Sequence, residues 1–96
     1  MFEIADGSKE QLIVDLRDLS GAVTELSDKL PKFTVKRADG TVVQNLATAT
    51  ASGMRMFCLI DTAVSGYDAN TYYKLFVGFT VGSEVPLVYA GDFQVI

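Results

Sequence analysis

The sequence predicts an all-β domain, an antiparallel sandwich of about seven to eight short strands. Three observations carry this. Apolar and polar residues alternate with a period of two over several segments. Turn chemistry recurs about every eight to twelve residues. Strands do not alternate with helical segments, as a parallel α/β fold would require.

The 96 residues make one small domain, 1–96. Met1 to Glu10 reads as an arm or a first strand followed by the turn Asp6-Gly7-Ser8. Gln11 to Arg17 reads as a strand, with Leu12, Val14 and Leu16 on one face. Asp18-Leu19-Ser20-Gly21 is a turn, because Asp bonds its own backbone and Gly accepts positive φ. Ser20 to Leu30 also admits a short helix, with Ala22, Val23, Leu26 and Leu30 near one face and Ser20 as cap.

Leu30 to Arg37 is the clearest strand. Phe33 and Val35 point one way and Lys32, Thr34 and Lys36 the other, with Pro31 at the start, where a missing donor costs least. Asp39-Gly40 signals a tight hairpin into Thr41 to Gln44. Asn45 to Ser52 is small and polar, an edge strand or a loop. Met56 to Ile60 is apolar on both faces, the mark of a central strand covered twice or facing a partner. Tyr72 to Val81 is a long strand with Tyr73, Leu75, Val77, Phe79 and Val81 on one face. Val85 to Tyr89 and Gly91 to Ile96 close the chain, with a bulge or kink at Ala90-Gly91-Asp92 and Pro86 at an edge or a strand start.

Composition narrows the function. The net charge of −4 and the scattered basic residues argue against nucleic-acid binding, which needs cations to displace phosphate counterions. Of the cluster Lys29, Lys32, Lys36 and Arg37, Lys32 and Lys36 share a strand face and read as a solvated outer surface. The longest uncharged run, Gly40 to Met54, is too polar to span a bilayer, so no membrane is expected. No basic start precedes an apolar run, so no signal peptide is expected. One cysteine permits no internal disulfide and fits a reducing cytoplasm.

No chemical site is legible. The absence of histidine removes Ser-His and Cys-His nucleophile pairs. Cys58 sits within an apolar strand with no base nearby in sequence and reads as a core thiol. Asp15 with Asp18, or Asp61 with Asp68, are the carboxylate pairs, but neither has the density of a calcium loop. The expectation is no enzyme, no metal and no cofactor. Asp68 followed by Tyr72 and Tyr73 at a strand entrance reads as a structural corner, in which a tyrosine hydroxyl bonds backbone.

The order of these pieces resembles the immunoglobulin-like domains of tailed-phage structural proteins, including the N-terminal domain of baseplate upper proteins. The pieces are Asp18 to Gly21, Glu25-Leu26-Ser27, Phe33-Thr34-Val35, Lys36 to Val43, Gly53 to Phe57 and Tyr72 to Phe76. The resemblance spans residues 11 to 96 and departs at Asp28 to Pro31. It implies an immunoglobulin-like antiparallel β-sandwich and a non-enzymatic virion protein, assembled in the host cytoplasm. Its partners would be capsid, portal, adaptor or tail proteins, met in many symmetric copies. The end at Ile96, directly after the last strand, favours a standalone head decoration or a neck or head–tail connector piece. A baseplate or tail adaptor, and a carbohydrate- or receptor-binding module using Tyr67, Tyr72 and Tyr89, are the alternatives.

The surfaces expected to meet partners are the arm at Phe2 and Ile4, the last strand at Phe93, Val95 and Ile96, and two apolar residues on otherwise polar faces, Ile13 and Phe76. Asp18, Gly21, Asp39, Gly40, Asp68, Tyr72 and Tyr73 are expected to shape the turns and the corner.

Overall fold

The computed structural model describes residues 2–15, 30–53, 55–64, 66–80 and 83–96. Among these residues eight strands form two sheets: β1 (Phe2–Ile4), β2 (Lys9–Asp15), β3 (Lys32–Arg37), β4 (Val42–Thr48), β5 (Thr50–Ser52), β6 (Arg55–Asp61), β7 (Thr71–Gly78) and β8 (Leu87–Val95). One sheet has the order β1-β8-β7-β3-β4 and the other β2-β6-β5. The fold is all-β, as expected, with two sheets enclosing one core. The turn at Asp18 to Gly21, the helical alternative over Ser20 to Leu30 and the Glu25-Leu26-Ser27 corner lie almost entirely outside the described residues.

Each sheet buries its alternating face. Phe33 and Val35 of β3, Tyr73, Leu75 and Val77 of β7, and Met56, Cys58 and Ile60 of β6 all face the interior. Such burial is the main force holding the sheets together. Strand β6 lies at the centre of the small sheet, and its other face carries the half-buried Phe57 and the exposed Leu59. Among the described residues it is therefore covered once, by the large sheet.

The large sheet is mixed rather than purely antiparallel, a correction to the expectation. Strand β1 runs parallel to β8, with Phe2 opposite Phe93 and Ile4 opposite Val95. The ladder continues past the strand ends, where the Ile96 amide donates to the Ile4 carbonyl at 2.9 Å and the Asp6 amide to the Ile96 carbonyl at 2.8 Å. The two segments that the sequence leaves open as edges thus close on each other. A parallel pair needs a long crossover between its strands, and here nearly the whole chain supplies it.

Asn45 to Ser52 resolves into a strand that changes sheets. Strand β4 edges the large sheet and β5 edges the small one, with buried Ala49 between them. The Ala49 amide donates to the Pro31 carbonyl at 3.0 Å, which anchors the crossing. Strand β4 is irregular. Phe33 faces Ala47 and Val35 faces Gln44, so β4 carries an extra residue there, and it gains a second between Val35 and Lys36. Leu46 takes the left-handed conformation at φ 51, and its amide donates to the Thr34 hydroxyl at 3.0 Å. Thr34 shares a face with lysines, yet it is buried because the bulge folds over it.

Strand β8 joins the two closing segments of the sequence into one bulged strand. Leu75 faces Gly91 and Phe76 faces Tyr89, so Ala90 is the extra residue, and Gly91 adopts φ 148. The bulge and kink expected at Ala90-Gly91-Asp92 lie at this point.

Candidate functional site

The corner that leads into β7 is densely hydrogen-bonded. The Tyr73 side chain is fully buried, and its ring stacks on Phe93 with centroids 5.4 Å apart. Its hydroxyl reaches back into the preceding loop, accepts the Asp68 amide at 2.7 Å and donates to the Gly66 carbonyl at 3.3 Å. Arg37 on β3 grips the same loop. Its guanidinium donates to the Gly66 carbonyl at 2.9 Å and to the Asp68 carboxylate, and lies over the Tyr73 ring at 5.8 Å. The Asp68 carboxylate in turn holds the Arg37 pKa above its ordinary value. Gly66 sits at φ 106, and a Cβ there would lie 2.9 Å from Val43, so both the backbone and the space favour glycine.

Tyr67 is buried too, which corrects its expected part in a ligand-binding surface. Its ring lies 5.2 Å from Tyr73 and its hydroxyl bonds the Gln44 side chain. A single tyrosine in a loop carries no periodicity, so its burial leaves no sign in the sequence. Burial raises its pKa. Tyr72 points the other way from Tyr73, as neighbours on a strand must, and half of it is exposed. It borders a shallow depression shared with Arg37, Asp39 and Asn70. Asp39 and Gly40 form the β3–β4 hairpin. Gly40 adopts φ 94, and the Thr41 amide donates to the Asp39 carboxylate at 2.9 Å. That backbone bond is the chief cause of a lowered Asp39 pKa. Asp18 and Gly21 lie outside the described residues.

The expected partner-facing residues divide in two. Ile4, Phe93 and Val95 are completely buried in the core and cannot meet a partner. The β1–β8 pairing turns these alternate residues inward. Phe2, Ile13 and Ile96 are exposed, Ile13 at 60%. Phe76 is half-buried on the outer face of the large sheet, with the Tyr89 ring at 5.7 Å and the Lys36 ammonium at 5.0 Å from its centroid. That cation covers part of the patch that the sequence leaves bare.

Two apolar surfaces extend beyond the single residues that the sequence picks out, Ile13 and Tyr89. On the outer face of the small sheet, Ile13 lies opposite Phe57, and the exposed Leu59 lies next along β6. On the large sheet, Leu87, Val88 and Tyr89 are exposed, because β1 pairs with β8 only from Phe93 to Val95. Between these surfaces runs an apolar groove of about 300 Å³, lined by Phe2, Leu12, Val14, Leu75 and Phe93 among others.

Cys58, Asp61 and Asp68 are each engaged or shielded. Burial pushes the Cys58 thiol up to about 12, so at neutral pH it is a thiol and not a nucleophile. Asp61 pairs with Lys9 at 3.8 Å and accepts the Ala63 amide at 3.0 Å, while Asp68 is bound to Arg37. Among the described residues, no three His, Cys, Asp or Glu side chains converge on a common point, and no helix is long and apolar enough to cross a membrane.

No family model, curated protein or solved structure matches the chain.

Proposed function

We propose that this chain is a non-enzymatic structural protein of a tailed-phage virion, a head decoration or a neck or head–tail connector component. It assembles in the host cytoplasm and binds capsid, portal, adaptor or tail proteins, in many symmetric copies, through strand edges and apolar patches. The sandwich is of immunoglobulin type. The strand order supports this: β1, β8, β7, β3 and β4 correspond to strands A′, G, F, C and C′, and β2, β6 and β5 to B, E and D. The Tyr73 corner at the start of β7 supports it as well, with Leu75 two residues on, where antibody domains carry a cysteine.

The virion part rests on the motif order from Asp18 to Val43 and beyond. The assembly part rests on one observation, the apolar strip of exposed Ile13 and Leu59 with half-buried Phe57 on the outer face of the small sheet. Apolar side chains gathered on one sheet face mark a surface that a partner covers. Mass spectrometry and electron microscopy of purified particles test the reading. The chain is expected at stoichiometric copy number in mature particles, and its absence from them would overturn the proposal.

A carbohydrate- or receptor-recognising role is the second reading. One observation favours it: exposed Tyr72 beside a depression that also carries Arg37, Asp39 and Asn70, an aromatic face ringed by hydrogen-bonding groups. Binding on a glycan array that Tyr72→Ala abolishes would establish it; silence on the array removes it.

A further inference from the structure

Among the described residues the four sheet edges differ in kind. Strands β1 and β5 have three residues each. Strand β4 is bulged twice and bent at Leu46. Short and bulged edges discourage pairing with other chains. Strand β2 has neither protection. It pairs with β6 through seven successive residues, Lys9 to Asp15, with no shift in register, and contains no proline.

We propose that β2 is a self-pairing edge: two copies of this chain join β2 to β2, antiparallel, about a two-fold axis at Leu12. The two three-stranded sheets then merge into one continuous sheet. The sequence of the strand, K-E-Q-L-I-V-D, specifies this arrangement. In an antiparallel pair centred on Leu12, Lys9 faces the partner's Asp15, and Gln11 faces the partner's Ile13. Within each copy Lys9 already pairs with Asp61 at 3.8 Å, and Asp15 lies opposite Arg55. One row across the joined sheet therefore reads Asp61, Lys9, the partner's Asp15, the partner's Arg55, with signs alternating throughout. Opposite charges directly across strands stabilise and like charges destabilise. A parallel pair in register would set Lys9 on Lys9 and Asp15 on Asp15. A shift of two residues either way would lose the Lys9–Asp15 match.

Between the charged rows the outer face is apolar. Ile13 and Leu59 are 60% and 52% exposed in the single chain, and Ile13 lies opposite the half-buried Phe57. The two-fold axis brings the two copies' strips side by side, Leu59 and Gln11 of one leading into Ile13 and Phe57 of the other. On the inner side the apolar groove beside β2 opens at the seam, with Phe2, Leu12 and Val14 in its lining. Two such grooves face each other across the axis, which removes apolar surface from water beyond what the strand pair covers. A closed two-fold contact of this kind is self-complementary and stops at two copies.

The inference deepens the assembly reading above and rests on it for the use of the chain in copies. Its test is separate from the test for presence in particles. Sedimentation equilibrium of the purified chain at low salt is expected to give a monomer–dimer equilibrium. Ile13→Lys, at an exposed position that leaves the thermal melt of the monomer unchanged, is expected to weaken the dimer by about tenfold or more. Mixed Gln11→Cys and Ile13→Cys chains are expected to cross-link to each other under mild oxidation. A chain that stays monomeric at millimolar concentration overturns the proposal. So does a dimer that ignores Ile13→Lys and yields no such cross-link, and a dimer lost on Val88→Lys instead would assign association to the open part of β8. If the chain is absent from particles while the dimer holds, the virion reading fails and the β2 contact stands.

Discussion

The Tyr73 hydroxyl accepts the Asp68 amide at 2.7 Å, five residues back along the chain, from a ring completely buried in the core. One side chain thereby joins the packing of the large sheet to the conformation of a surface loop. The ring contributes burial, and the hydroxyl satisfies polar groups that the corner would otherwise leave to water.

Tyr73→Phe separates these two roles. The ring keeps its place between Tyr67 and Phe93, while the bonds to Asp68 and Gly66 are lost. A cost of about 1–2 kcal/mol is expected, seen as a lower denaturant midpoint with an unchanged slope. An unchanged midpoint would mean that the hydroxyl contributes nothing to the corner.

Thr34→Val keeps the shape of the side chain and removes its oxygen. The Leu46 amide then loses its acceptor beneath the β4 bulge. Loss of about 1 kcal/mol is expected, the net contribution of one part-buried hydrogen bond. Amide exchange at Leu46 should accelerate more than exchange in β7, and equal acceleration would argue against a local bond.

Gly78→Ala tests a close approach. A Cβ at Gly78 would lie 2.1 Å from the Pro86 carbonyl oxygen, a backbone atom that a rotamer change cannot move. Destabilisation of more than about 2 kcal/mol is expected, since the two chain segments must separate. Gly7→Ala, at φ 83 in open space, is the control and should cost about 1–2 kcal/mol through backbone strain alone.

Cys58 gives a pH dependence with a definite sign. Its ordinary value is 9.0, and burial raises it to about 12 in the folded chain. The unfolded chain releases the proton first, so stability from this group is intact below about pH 9 and falls as the pH climbs toward 12. Tyr67, also raised by burial, acts in the same direction. Denaturant midpoints measured from pH 7 to pH 11 should therefore decline above pH 9, and Cys58→Ala should flatten the first part of the decline. Alkylation of the native thiol at pH 8 is expected to follow global unfolding rather than precede it.

Much of this fold is legible in the sequence because a strand with one buried face writes its period into its residues. Phe33 and Val35, Tyr73, Leu75 and Val77, and the hairpin at Asp39-Gly40 all announce themselves in that way. So does the corner, because Asp68 and Tyr73 stand at a loop-to-strand boundary. Among the outward apolar residues, Phe76 and Ile13 stand out because each interrupts a polar face, and Phe2 and Ile96 because they lie on terminal segments that read as open edges.

What the sequence by itself determined is which residues alternate and where the chain turns, since both follow from local backbone geometry. Only the tertiary structure decided what covers each face. Ile4, Phe93 and Val95 alternate in the same manner whether they meet a partner or each other, and the parallel β1–β8 pair buries them within this chain. Thr34 is polar and still lies inside, because a bulge two strands' length away in sequence brings Leu46 over it. Ile13 is apolar and still lies outside, because among the described residues no layer covers the outer face of the small sheet. Pairing between strands distant in the chain is a property of the packed whole, and the period of a single strand carries no record of its neighbours.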